Sequence, residues 1–241
     1  MNYFDMQRIA VDLSPVEAVE NDMPRIITVD GQPGSGKTTL ATRIAEEFGY
    51  QPVTAGMVYC GIAAALEDAG LTHADATTRS DFALDATISF DVSNPHETSL
   101  AVNGQDYIGT RLFSPRNKNL SQYVGALPGI GKKFDLFYRQ LAQTGKWVFD
   151  RGQSVFPDAD LRIWLEAPVA TRVVRRCAQY ALEGSFVSYE QLLVQTLTRE
   201  QRDKRSTSYS RRPDVTVINT AHLDIEGTVQ AAAKHILPAS S

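Results

Sequence analysis

The chain has 241 residues, 43% of them hydrophobic, and a formal net charge of −4. That length fits one large α/β domain, or one domain with a small insert, and holds enough apolar residues for a substantial core. The charge imbalance lies in residues 1–24, where Asp5, Asp12, Glu17, Glu20 and Asp22 oppose Arg8 alone; the rest is neutral, which argues against a dedicated nucleic-acid binder.

Cys60 and Cys177 fit no metal or redox spacing, so two reduced thiols in a cytoplasmic protein are expected. His73, His96, His222 and His235 form no close pair, and no zinc site is expected. No apolar run of about eighteen residues occurs, and the acidic N-terminus does not read as a secretory signal.

In chain order, residues 1–24 read as a peripheral extension and 25–30, "RIITVD", as a buried parallel strand. "GQPGSGKTT" follows at 31–39 and fits the phosphate-loop pattern through Gly31, Gly36, Lys37 and Thr38. Such a loop turns backbone N–H groups, here those of Gly34, Ser35, Gly36, Lys37, Thr38 and Thr39, toward a polyphosphate at a helix N-terminus. Lys37 supplies the cation for the β- and γ-phosphates and Thr38 a hydroxyl for Mg²⁺. The loop lies between the strand and a helix ending at Gly49, the context the pattern requires.

"QPV" reads as a short strand and "GMVYCGIAAALEDAG" as a helix, while residues 71–85 read as irregular. Short antiparallel strands follow in "ATISFDV", "TSLAVNG" and "QDYIG", with a hairpin signal at Asn103-Gly104. They interrupt an alternating α/β pattern and mark a small inserted subdomain. "RNKNLSQYVGAL" and "GKKFDLFYRQLAQTG" read as helices, "KWVFD" and "LRIWLE" as strands. Helices at 169–184 and 188–206, a strand at 214–219 and a last helix marked by Ile225, Val229, Ala232 and Ile236 complete the chain. Five strands alternating with helices imply a mostly parallel, doubly wound sheet.

Asp150 and Arg151 close a hydrophobic strand, where ligands of doubly wound sheets bind. Asp150 is suited to the Mg²⁺ shell or to accepting a proton, and Arg151 to a fork on an acceptor phosphate. Arg172, Arg175 and Arg176 share one helix face, and Arg199, Arg202 and Asp203 share a face of the next helix. The turn between them is short, so both faces can converge on a transferring phosphoryl group and exclude water.

Taken in order, these stretches resemble the bacterial cytidylate (CMP) kinase family of P-loop nucleoside monophosphate kinases. "ITVDGQPGSGKTTLA", "TAGMVYC", "GTRLFSP", "VFPDADLRIWLEA", "TRVVRRCAQ", "REQRDKRS" and "VINTAHLDIE" are similar to its successive motifs. The resemblance implies an adenylate-kinase-like core, a monophosphate-binding insert at 71–128 and a helical lid at 184–212. It implies transfer from Mg-ATP to CMP or dCMP, with small-molecule nucleotides as partners and a monomeric chain. It places Arg172, Arg176, Arg199 and Arg202 on the lid side, and Tyr59, Arg111, Arg151 and Asp203 on the acceptor side. The chain departs from the pattern on that side: Ala55, Cys60, Gly131 and Ser206 stand where the family carries serine or arginine. Two rival readings accompany this one: a kinase for another small acceptor, and a nucleotide-binding regulatory module without kinase activity.

Overall fold

In the computed structural model, residues 23–91, 99–182, 184–204 and 211–238 are described. Nearly all of the 1–24 extension, the residues between the first two insert strands, and lid residues 205–210 lie outside them. The described residues form two compact units: one spans residues 51–146, and the other joins residues 23–50 to those from Trp147 onward.

The second unit is built on β1 (Ile26–Gly31). It pairs in parallel with β6 (Trp147–Asp150) on one side and β7 (Leu161–Glu166) on the other. β7 in turn pairs with β8 (Thr216–Asn219). With β2 (Gln51–Thr54) the sheet has the order β2-β6-β1-β7-β8, the five-stranded doubly wound sheet expected. β1 is covered on both faces, which explains why its sequence is a continuous apolar and β-branched run. Ile27 and Val29 are fully buried beside Leu40 and Ile44 of α1 (Lys37–Phe48) and Val229 and Ile236 of α9 (Ile225–Ile236). Gly49 ends α1 at φ 71°, its N–H donating to the Ala45 carbonyl, a left-handed cap glycine adopts without a Cβ clash. α7 (Val169–Leu182) and α8 (Tyr189–Lys204) pack on each other.

The first unit carries α2 (Ala55–Asp68), α3 (Ala76–Asp85), and the antiparallel strands β3 (Ile88–Asp91), β4 (Ser99–Val102) and β5 (Gln105–Tyr107). Asn103 (φ 53°) and Gly104 (φ 77°) turn β4 into β5. Positive φ at both central residues gives a hairpin turn whose twist matches the strands. The short α4 (Gly109–Leu112), α5 (Pro115–Val124) and α6 (Ile130–Leu141) complete the unit. Gly61 lets β4 approach α2: any Cβ there would collide with the Leu100 side chain.

One expected loop is a helix. Residues 76–85 form α3 because the Asp75 side chain caps it, accepting from the Thr78 N–H at 2.9 Å. At its other end the Lys133 ammonium donates to the carbonyls of Ala83, Leu84 and Ala86 at 3.1, 2.6 and 2.5 Å. Neither tie leaves an apolar period in the sequence; only Ser80 and Ala83 of α3 are buried.

Candidate active site

The loop after β1 is shaped by glycine. Gly31 (φ 139°), Gly34 (φ 79°) and Gly36 (φ 100°) hold conformations that side chains rarely adopt. A Cβ on Gly31 would run into the Leu165 carbonyl of β7. Gln32 fastens the loop to that neighbour: its N–H donates to Leu165 O at 3.3 Å, and its side-chain oxygen accepts from Ala167 N–H at 3.2 Å. Ser35 is buried, and its N–H donates back to Gln32 O at 3.1 Å. Thr38 and Thr39 are exposed on the first turn of α1.

Lys37 is buried to 8% exposure, its ammonium donating to Gln32 O at 2.9 Å. Burial lowers its pKa from 10.5 to about 8; Asp150 works against the shift, while Arg151 and Arg199 add to it. These influences bring Lys37, Arg151 and Arg199 into one electrostatic cluster. Asp203 joins two of its members: Arg151 Nη2 lies 3.3 Å and Arg199 Nε 3.9 Å from Asp203 Oδ2. The Arg202 side chain, like Arg205 and Ser206, lies outside what the structure describes.

Asp150 ends β6, its neighbour in β1 being Val29. One carboxylate oxygen accepts from the Thr38 hydroxyl, and the other, Oδ1, is buried without a hydrogen-bond partner. A buried carboxylate oxygen with no donor is costly, and beside a hydroxyl it is a donor set suited to a hard divalent cation. The pair therefore fits the metal position expected of Thr38 and Asp150.

Sequence reasoning missed Asp30, read only as the last strand residue before the glycine motif. It is 8% exposed and accepts from the Gln153 N–H at 3.0 Å. Burial raises its pKa from 3.8 to about 7; the Gln153 N–H opposes the shift, Asp150 adds to it, and Lys37 opposes it. This bond closes the turn after β6, where Arg151 itself holds a left-handed φ of 73°. Gly152 is required there, since a Cβ would meet Phe149 Cβ and Thr28 Cγ2 at 2.8 Å each.

The arginine face of α7 turns inward. Arg172, expected to face a transferring phosphate, is 2% exposed. It donates to Ala167 O, Pro33 O and Glu200 Oε2, each at 2.9 Å. Arg176 donates to Thr196 Oγ1 at 3.0 Å, and Arg175 to the hydroxyl and carbonyl of Thr220 and to Leu223 O. Helical spacing put the three on one face correctly, but could not say that this face packs on protein.

In the first unit, Arg111 pairs with Asp68 at 2.8 Å and lies over the Tyr107 ring, 5.0 Å from its centroid. The Tyr59 ring meets Phe134 edge-on with centroids 4.7 Å apart. Cys60 is buried to 3% exposure, and burial pushes its thiol pKa up, against a hydrogen bond with Ser121. Gly131 is exposed, and open space surrounds it where a Cβ would lie.

A parallel doubly wound sheet whose central strand feeds a glycine loop and a buried lysine defines a P-loop nucleotide-binding protein. The chain belongs to the cytidylate kinase family, which it matches over residues 27–237. It is 32% identical to the cytidylate kinase of Bordetella pertussis, across 86% of this chain and 92% of that protein. Identity is 30% to the cytidylate kinase of Rhodopseudomonas palustris (strain BisB18), over 86% and 93%. It is 28% to that of Haemophilus ducreyi, over 88% and 96%.

Proposed function

We propose that the chain transfers the γ-phosphoryl group of ATP to CMP or dCMP, releasing ADP and CDP or dCDP. The observation that supports this most is the cluster of Lys37, Arg151 and Arg199 beside the phosphate loop, in a chain of the cytidylate kinase family. In the step, an oxygen of the acceptor phosphate attacks the γ-phosphorus while the bond to the β,γ-bridging oxygen breaks. Little covalent work falls to the protein, so positioning and charge carry the catalysis. The loop N–H groups hold the donor phosphates. Lys37 leaves the Gln32 carbonyl to meet the charge growing on the β- and γ-oxygens. Arg151 binds the acceptor phosphate, and Arg199 the equatorial oxygens in transfer. Thr38 and Asp150 would hold Mg²⁺, which when bound neutralises part of the polyphosphate charge. Tyr59, Arg111 and Asp203 serve the acceptor in this reading, and Arg172 and Arg176 support it through protein contacts. A monomeric chain in the cytoplasm, acting on free nucleotides and not on nucleic acid, belongs to the same proposal. No helix among the described residues is long and apolar enough to cross a membrane.

A second reading keeps the donor chemistry and changes the acceptor. It is favoured by Cys60, buried where the resemblance calls for an arginine, since a thiol gives no charged fork. Lys37→Met tests the shared part: the fold stays intact by circular dichroism and turnover disappears. Turnover within twofold of the parent protein would remove Lys37 from the chemistry; a regulatory nucleotide-binding module is promoted instead by a parent protein that binds ATP and releases no ADP on any monophosphate.

A further inference from the structure

The most buried of the described ion pairs joins α7 to α8. The Arg172 and Glu200 side chains are 3% and 12% exposed, and Nη2 meets Oε2 at 2.9 Å. A buried charge is tolerated only when its partners are complete. Here the guanidinium is satisfied on three sides, and each partner comes from a different segment. Pro33 O belongs to the phosphate loop, Ala167 O to the end of β7, and Glu200 to α8. The contact with the loop is close: a Cβ on Gly34 would lie 3.3 Å from both Arg172 Cβ and Arg172 O.

A second tie repeats the first one helical turn away. Arg176 donates to Thr196 Oγ1 at 3.0 Å, and Thr196 is fully buried. The pairs 172 with 200 and 176 with 196 run in opposite directions along the two helices. Two such ties fix both the register and the rotation of α8 on α7. Rotation matters because successive helical residues lie about 100° apart. With Glu200 turned toward Arg172, Arg199 is one step round the helix and Asp203 lies on the flank that meets Arg151 at 3.3 Å. Glu200 also accepts from Lys204 at 3.1 Å. Burial alone would raise the Glu200 carboxyl, but its bonds with Arg172 and Lys204 hold it below the usual range. The carboxylate is therefore ionised and able to grip at neutral pH.

We infer that Glu200 is a positioning residue: through Arg172 it locks the rotation of α8 to the phosphate loop, and so sets Arg199 beside Lys37. The inference rests on the phosphotransfer reading above. In the sequence, Glu200 stands inside the motif-like stretch "REQRDKRS", with no role assigned to it.

The test is Glu200→Gln, which keeps the shape and an acceptor for Arg172 but removes the charge. Steady-state kinetics with Mg-ATP and the best monophosphate acceptor should give a kcat at least about tenfold lower, with KM for ATP within about threefold, because misplacement and not donor binding is affected. The decisive comparison adds Arg199→Ala. If Glu200 acts through Arg199, the double variant is no slower than Arg199→Ala alone. Losses that multiply, or an unchanged kcat in Glu200→Gln, overturn the inference. Should Glu200→Gln fail to fold, Arg172→Lys keeps the buried charge, loses the fork, and carries the same expectation in the same cycle. The activity of the parent protein separates the two levels. A parent protein that binds ATP but releases no ADP on any monophosphate defeats the phosphotransfer reading itself, whereas an active parent beside an unimpaired Glu200→Gln defeats only the positioning role.

Discussion

Asp30→Asn isolates what burial does to a single carboxylate. Asp30 is 8% exposed, and its pKa stands at about 7 against an ordinary 3.8. Between those two values the folded chain keeps a proton that the unfolded chain has lost. The stabilisation from this proton is therefore full below pH 3.8, and it drains away as the pH rises to about 7. Linkage sets the slope at roughly 1.4 kcal/mol per pH unit, on the order of 4 kcal/mol across the window. Asparagine retains an oxygen for the Gln153 N–H and does not titrate in this range. The stability of Asp30→Asn relative to the parent should thus climb between pH 4.5 and 7 and stay level above it. Urea unfolding without nucleotide or divalent metal measures it, followed by the fluorescence of Trp147 and Trp164, which lie in the same unit as Asp30. A difference that stays constant from pH 4.5 to 8 would refute the reasoning, since the proton would then not be held by Asp30.

Gly152→Ala should cost about 1–3 kcal/mol through overpacking against Phe149 and Thr28; it should also lower kcat, because Arg151 is displaced, and an unchanged melting temperature together with unchanged kcat contradicts this. Lys37 loses its proton near pH 8 in the free protein, so ATP affinity by titration calorimetry should fall as the pH passes from 7 to 9.5; affinity that is flat over that range speaks against the buried cation.

The glycine loop was legible because its requirements are local. Gly31, Gly34 and Gly36 are dictated by backbone angle and by the nearness of β7, and the strand before them carries the apolar run of a twice-covered position. The Asn103-Gly104 hairpin was legible for the same reason. α3 was not, because its ends are held by the Asp75 cap and the Lys133 ammonium instead of an apolar stripe. Arg172 shows the limit of periodicity. Spacing assigned it to a face shared with Arg176, but only the packing of α7 on α8 shows that face to be interior. Asp30 and Glu200 were passed over because their behaviour comes from burial and from partners far along the chain.

The central claim, phosphoryl transfer from ATP to CMP or dCMP, is tested most directly by coupled ADP release with Mg-ATP and each common nucleoside monophosphate in turn. The account predicts acceptor-dependent ADP release with CMP or dCMP above all others, abolished by Lys37→Met. ATP binding at normal affinity without ADP release on any monophosphate would contradict it.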